Sequence, residues 1–387
     1  MKNTLFIASR LRYKRRIVTI SIAISYIIMI VAVAVSSGFR SQVRDALSQM
    51  GGDVQLCPAN QNFLDEAQPI NSNPPYLEQL KQIKSVESVS PAVYRAGIMK
   101  VEENIYGVIF KGVESGDTSS LAVSIPRSLA HTANLSEGDK ALTYFVGEKI
   151  KARNFKVASI YDPIVETDGT MIVYANIDDL RRLNGWGEDE ASMLEINLKS
   201  QYKDEQQIEE ATREIGFVAY SYSDGDRSDV FASSVSSRYP QLFDWLNLLD
   251  FNVLFVLVLM MIVAGFNMIS GLLITLFENI STIGVFKAMG MTDKSISKVF
   301  LSSSAALVLK GMLIGNAVAL LLCLIQGQYH ILKLDPKNYF VSFVPVDLDI
   351  FTVLTVDAVS FVVIMLLLLI PCAFISKVDP ADTVRVR

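Results

Sequence analysis

Three groups of residues have the types and spacing to do chemistry. Asp162, Glu166 and Asp168 fall within seven positions and would supply paired carboxylates for acid–base work. They lie between two strand-like runs, and the spacing is read as a solvated loop. The two histidines, His131 and His330, are far apart in the chain and have no cysteine beside them. Neither a histidine-based metal site nor a Ser-His-Asp triad is expected from them. Cys57, Cys323 and Cys372 are too scattered for a disulfide framework, and Cys57 reads as a packed thiol. Lys310 and Asp357 stand alone inside long apolar runs. A charge at such a position faces protein or water, so the two either pair with each other or are buried separately. The sequence has no G-x-x-x-x-G-K-[ST], so no P-loop is present to bind a nucleotide. No catalytic residue and no metal ligand is assigned.

The elements that hold these residues are set by composition. The 387 residues are 51% hydrophobic and 19% charged, with a net charge of −5. The mean hydropathy is +0.34 and the isoelectric point about 5.3. This excludes disorder, and the acidity disfavours nucleic acid as a partner. Ile17 to Ser37 carries no charge over 21 residues, and Phe251 to Phe277 carries none over 27. Val299 to Ile325 is interrupted only by Lys310, and Ile350 to Ile375 only by Asp357. Each run reaches the roughly 20 helical residues that cross a bilayer. The first exceeds the h-region of a signal peptide and reads as an uncleaved anchor, despite the A-x-A-like Ala32-Val33-Ala34. Lys2, Arg10, Arg12, Lys14, Arg15 and Arg16 precede it with no acid among them, which places the N-terminus in the cytoplasm. Four spans return the C-terminus to the same side.

The organisation expected is therefore a membrane protein. It is an α-helical bundle of four transmembrane helices with a large external α+β domain inserted between the first and second. Its segments are 1–16 (basic and cytoplasmic), 17–37 (first span), 38–250 (external domain), 251–277 (second span), 278–298 (cytoplasmic link), 299–325 (third span), 326–349 (short external loop), 350–375 (fourth span) and 376–387 (cytoplasmic tail). The external segment carries 20 basic and 32 acidic residues. Phe39, Val43, Leu47 and Met50 recur at helical spacing, so Gly38 to Met50 extends the first span outward as a stalk. Strands are expected at 86–91, 97–101, 106–110, 142–146, 155–160, 171–175 and 193–198. Helices are expected at 76–83, 177–183 and 204–215. Ser228 to Leu249 reads as a helix leading into the second span, kinked at Pro240.

The cytoplasmic link reads Glu278-Asn-Ile-Ser-Thr-Ile-Gly-Val-Phe-Lys-Ala-Met-Gly290. With it go Phe6-Ile7-Ala8-Ser9-Arg10, Ser36-Ser37-Gly38-Phe39, Phe266-Asn267-Met268-Ile269-Ser270-Gly271, Lys310-Gly311 to Gly315-Asn316, and Val378-Asp379-Pro380-Ala381. In this order the chain resembles the FtsX/MacB/LolC-LolE superfamily of ABC-transporter permeases, most closely the LolC/LolE type, over nearly its whole length.

The resemblance implies that the link is a coupling helix docking on a cytoplasmic ATPase. Ile283, Phe286 and Met289 would fill an apolar groove, Lys287 would meet an acidic rim, and Gly290 would end the helix; Glu278 and Gly284 complete the candidate coupling residues. Asn279 stands where relatives often carry a basic residue. The resemblance further implies that the permease binds no cofactor directly and that ATP and magnesium sit on a partner ATPase dimer. A second permease copy or a related permease completes the path in a bacterial inner membrane, with the large domain periplasmic. The implied activity is mechanotransmission that lifts acylated lipoprotein cargo from membrane lipid and passes it to a periplasmic carrier protein. Met260, Met261, Phe266 and Met268 are the candidate cargo-cavity residues, because methionine adapts its shape to acyl chains. Gly311 and Gly315 form a G-x-x-x-G that permits close helix approach, a possible dimer face. The hairpin that would reach a carrier has a short tip at Gly147-Glu148-Lys149-Ile150. The rivals are an FtsX-like transmitter that activates a cell-wall hydrolase and a MacB-like peptide exporter. The latter usually carries its ATPase fused ahead of the first span, where this chain has 16 residues.

Overall fold

The computed structural model describes residues 15–58, 69–114, 120–147, 149–163, 171–222, 230–335, 339 and 341–372. Two compact units emerge: Gln42–Phe243 with Leu334–Ser342, and the remainder, which holds most of the helical chain. Among the described residues, four helices are long and apolar enough to cross a bilayer.

α1 runs unbroken from Arg15 to Gly51, about 55 Å of helix, so the apolar run and the expected stalk are one element. Then come β1 (Val54–Pro58), β2 (Ile70–Asn71), α2 (Leu77–Gln82), β3 (Val86–Val101), β4 (Asn104–Val113), β5 (Ala122–Pro126), α3 (Arg127–Ala133), β6 (Lys140–Phe145) and β7 (Lys151–Tyr161). The inserted unit continues through β8 (Met171–Asn176), α4 (Ile177–Asn184), β9 (Glu190–Ala191), β10 (Met193–Leu198), α5 (Glu205–Ser221), β11 (Val230–Ser234) and α6 (Val235–Arg238). The unit is α+β, as its mixed periodicities predict.

The organising strand is β3. Its first half pairs with β10, which leads on through β1 to β11. Its second half pairs with β4 on one side and β6 on the other. The pairings β4–β8, β8–β5, β5–β7 and β7–β6 then close a ring of six strands. Closure removes the open edges on that side. Inside the ring Phe110, Phe145 and Phe155 meet at centroid distances of 4.9–6.1 Å, among Val93, Met99, Val123 and Val173.

Two expectations are corrected here. The expected strands at 86–91 and 97–101 are one 16-residue strand that runs through Pro91. The expected helix over Ser228–Leu249 begins as a strand, since Val230 to Ser234 pairs antiparallel with β1; helix follows over Val235–Arg238 and from Pro240 onward. Pro240 does not kink a helix but begins one, where its missing N–H costs nothing. β1, β5 and α3 carried no sequence signal strong enough to be assigned.

The helical unit comprises α7 (Pro240–Glu278), α8 (Ile280–Ala288), α9 (Asp293–Tyr329), α10 (Ile350–Leu367) and α11 (Leu369–Cys372), packed with α1. Its core joins Ile22, Tyr26 and Met29 to Ala264, Met268, Leu272, Phe300, Val308 and Ile364. Polar pairs cross between helices: Asn267 Nδ2 donates to Ser21 Oγ (2.5 Å), and Ser360 Oγ donates to Tyr26 Oη (2.9 Å). Further out, Asp250 accepts from Ser36 (2.5 Å) and pairs with Arg40, while Phe39 meets Trp245 edge-on at 5.9 Å.

The G-x-x-x-G is occupied within the chain. A Cβ at Gly311 would lie 2.6 Å from Ile22 Cγ2, and one at Gly315 would lie 2.7 Å from the Ala23 carbonyl and Tyr26 Cβ. These glycines let α9 lie against α1, so they are not free to form a dimer face. Gly315→Leu should therefore separate the two helices at a cost of about 1–3 kcal/mol. The expected result is a lower unfolding temperature in detergent, whereas Leu321→Ala on the exposed side leaves it within a degree or two.

Candidate functional site

The most informative site is the tip formed by α8 and its flanks. α8 is closed by Gly290, whose φ of +87° suits glycine, and Met291 N–H donates to the Phe286 carbonyl at 2.9 Å. The orientation differs from that expected. Ile283 and Gly284 are buried, with Ile283 in the helical core, and Phe286 packs partly against that core. Lys287 is tied to Asp293 of α9 at 3.0 Å and so meets an acid of its own chain. The outward face consists of Ser281, Thr282, Val285, Ala288 and Met289. Val285 is 49% and Met289 69% exposed. Glu278 is exposed at the end of α7. Of the residues assigned to docking, Met289, Gly290 and Glu278 stay accessible, while Ile283 and Phe286 support the helix from beneath. Ser281, Thr282 and Val285, which the sequence reading did not single out, share the outward face.

The four proposed cavity residues do not gather on one surface. Met268 is fully buried in the helical core, Met260 and Met261 pack partly against it, and Phe266 is 64% exposed. The exposed side of α7 instead carries Phe251, Phe255, Leu259, Ile262 and Phe266 at helical spacing. This stripe is suited to lipid, acyl chains or another apolar helix.

Lys310 and Asp357 do not pair. Lys310 is exposed on α9, and Asp357 is buried with its Oδ2 accepting from Asn316 Nδ2 at 2.5 Å. Asn316, six residues beyond Lys310, is the partner that sequence reasoning passed over. The remaining oxygens, Asp357 Oδ1 and Asn316 Oδ1, are buried without a partner among the described residues.

In the inserted unit, Asp162 pairs with Arg127 at the surface, while Glu166 and Asp168 lie outside the described residues. Among the described residues no three His, Cys, Asp or Glu side chains gather as a metal site. Cys57 is buried, and burial raises its thiol to about 11 although Arg238 opposes the shift. At neutral pH its thiolate is then about a hundredfold scarcer than at an ordinary cysteine near 9. Maleimide should label Cys57 at least that much more slowly in the folded protein than after denaturation; equal rates would contradict its packing. The β6–β7 connection spans only 146–150, and its Glu148 lies outside the described residues. The motif residues 6–10 and 378–381 also lie outside them.

Comparison with known proteins covers both units. Residues 17–217 match the family described as MacB-like periplasmic core domain, and residues 254–380 match the FtsX-like permease C-terminal family. A lipoprotein-releasing system transmembrane protein LolC from Xylella fastidiosa (strain 9a5c) is 22% identical over the full length of both chains. The LolC of Neisseria meningitidis serogroup B is 25% identical over 138 residues, covering 34% of this chain and 33% of that one. Among solved structures, the periplasmic region of MacB from Actinobacillus actinomycetemcomitans aligns with a TM-score of 0.32 at 14% identity. It covers 50% of this chain and 93% of that one. The extracellular domain of the ABC-type transporter YknZ from Gram-positive bacteria aligns with a TM-score of 0.30 at 12% identity, covering 47% and 98%.

Proposed function

Because the chain belongs to the FtsX/MacB-like family of ABC-transporter permeases, we propose that it is the permease subunit of a lipoprotein-releasing transporter. A separate ATPase dimer hydrolyses ATP, with its magnesium, on the cytoplasmic side. α8 is the coupling helix, and it docks on the ATPase through Val285 and Met289. Closure of the ATPases draws the helices of two permeases together, and the motion passes to the periplasmic domain rather than opening an alternating-access pore. N- and C-termini are cytoplasmic, in a bacterial inner membrane.

The observation that carries this reading is the order of elements. One long helix leads into an inserted α+β unit, and three more long helices follow, with the exposed α8 between the second and third. Full-length similarity to LolC relatives supports acylated lipoprotein as cargo. The apolar stripe from Phe251 to Phe266 on α7 is chemically suited to acyl chains. In proteoliposomes holding the permease and its ATPase, ATP should move a triacylated lipoprotein into the soluble fraction when a carrier is present. Release that is independent of ATP, or none at all, would contradict the proposal.

One feature favours a second reading. The five-residue β6–β7 connection offers little reach toward a carrier. A transmitter that activates a cell-wall hydrolase needs no such hook. Capture of a hydrolase by the periplasmic domain, with no lipoprotein moved, would select that reading.

A further inference from the structure

The end of α1 is held by a buried charge cluster that nothing in the reading so far uses. Helix ends leave carbonyls without partners, and cations are favoured there. At this end Lys111 Nζ donates to the Met50 carbonyl at 2.6 Å and pairs with Glu195 at 2.8 Å. Tyr94 Oη donates to Glu195 at 2.6 Å and also reaches the Met50 carbonyl at 3.2 Å. The Arg238 guanidinium donates to the carbonyls of Gly51 (2.9 Å) and Gly52. Lys111 is 2% exposed and is the only charged residue of its strand. Burial and the neighbouring Glu195 carboxylate push the Tyr94 hydroxyl well above its ordinary range, so it remains a donor.

The placement of these residues in the chain gives the cluster its meaning. Lys111 lies on β4 of the closed ring, and Glu195 lies on β10 of the flanking sheet. Arg238 is the last residue of α6, two positions before α7 begins at Pro240. One cluster therefore ties the end of the first long helix, the ring, the flanking sheet and the approach to the second long helix. Two cations converge here on three successive carbonyls, those of Met50, Gly51 and Gly52.

We propose that Lys111, Glu195 and Arg238 are positioning residues that form the mechanical joint of the periplasmic domain, passing displacement of α1 and α7 to the β-ring as one body. This rests on the mechanotransmission reading above. Removing the joint uncouples ATP hydrolysis from domain movement.

The test uses the full permease reconstituted with its ATPase. Spin labels at Glu137, exposed on the ring side, and Lys294, exposed after α8, report distance with and without ATP and vanadate. The variants are Lys111→Met with Glu195→Gln, Arg238→Gln, and all three together. The triple variant is expected to hydrolyse ATP within about twofold of wild type while lipoprotein released per ATP falls at least tenfold and the ATP-driven distance change disappears. Arg238→Lys should restore most of the coupling lost in Arg238→Gln. If wild type and triple variant move alike, the joint is overturned and the transporter reading stands. If wild type shows no ATP-driven movement, the mechanotransmission reading fails and takes the joint with it. Should the triple variant not fold, hydrogen exchange on wild type decides. The joint predicts that amides 50–54 keep their protection within twofold between nucleotide-free and trapped states. A tenfold loss of protection overturns it.

Discussion

Val285→Glu and Met289→Glu are each expected to weaken capture of the partner ATPase by at least a hundredfold. Both side chains face outward from α8, at 49% and 69% exposure, and neither supports the permease core. The variants should therefore fold. Within a docked apolar groove an unpaired carboxylate loses its hydration, a penalty of several kcal/mol, and about 2.7 kcal/mol already gives a hundredfold change in affinity. Lys287→Met is the contrasting variant. Its ammonium is engaged with Asp293 of the same chain, so its loss should change capture only a fewfold. Titration of purified ATPase against permease in nanodiscs measures all three. A large loss at Lys287 with none at Val285 would return the docking face to the arrangement first expected from sequence.

The second large effect concerns the buried pair at the end of α1. Lys111→Met alone should destabilise the protein by about 3–5 kcal/mol, because it leaves the buried Glu195 carboxylate without its cation. Lys111→Met combined with Glu195→Gln should recover most of that loss, since the pair is then removed as a unit and Tyr94 keeps its acceptor. Chemical denaturation followed by tryptophan fluorescence would measure both. Additive losses in the double variant would mean that the two residues do not act together. The stability recovered by the double variant is what makes it usable in coupling experiments.

Long-range organisation was readable because it rests on length and charge. Runs such as Phe251 to Phe277 need no tertiary information to be identified, and the insertion between the first and second runs follows from counting. Finer placement was not readable, for reasons visible in particular residues. α8 carries Ile, Val, Phe and Ala on several sides, with Ser281, Thr282 and Lys287 as its polar positions, so periodicity does not say which side faces its own bundle. Ile283 and Phe286 were therefore assigned outward when packing against the helical core turns them inward. Lys310 and Asp357 invite pairing by charge alone, but Asn316 offers a donor closer to the carboxylate. Val230 to Ser234 is short and serine-rich, and only its pairing with β1 makes it a strand. The joint was not read from sequence, because Lys111 falls just past the strand expected at 106–110 and only the observed strand, Asn104–Val113, contains it. Its partner Glu195 lies 84 positions away and meets it only through the sheet, and Arg238, 127 positions away, joins the cluster through the carbonyls of Gly51 and Gly52.

The most direct measurement of the central claim is photo-crosslinking from Phe266, on the exposed stripe of α7. A photoreactive residue there, in permease reconstituted with its ATPase and with lipoprotein present, should capture the acylated lipoprotein before ATP is added. The crosslink should disappear once ATP is hydrolysed. Capture of lipid alone under both conditions, together with recovery of a cell-wall hydrolase on the periplasmic domain, would contradict lipoprotein release.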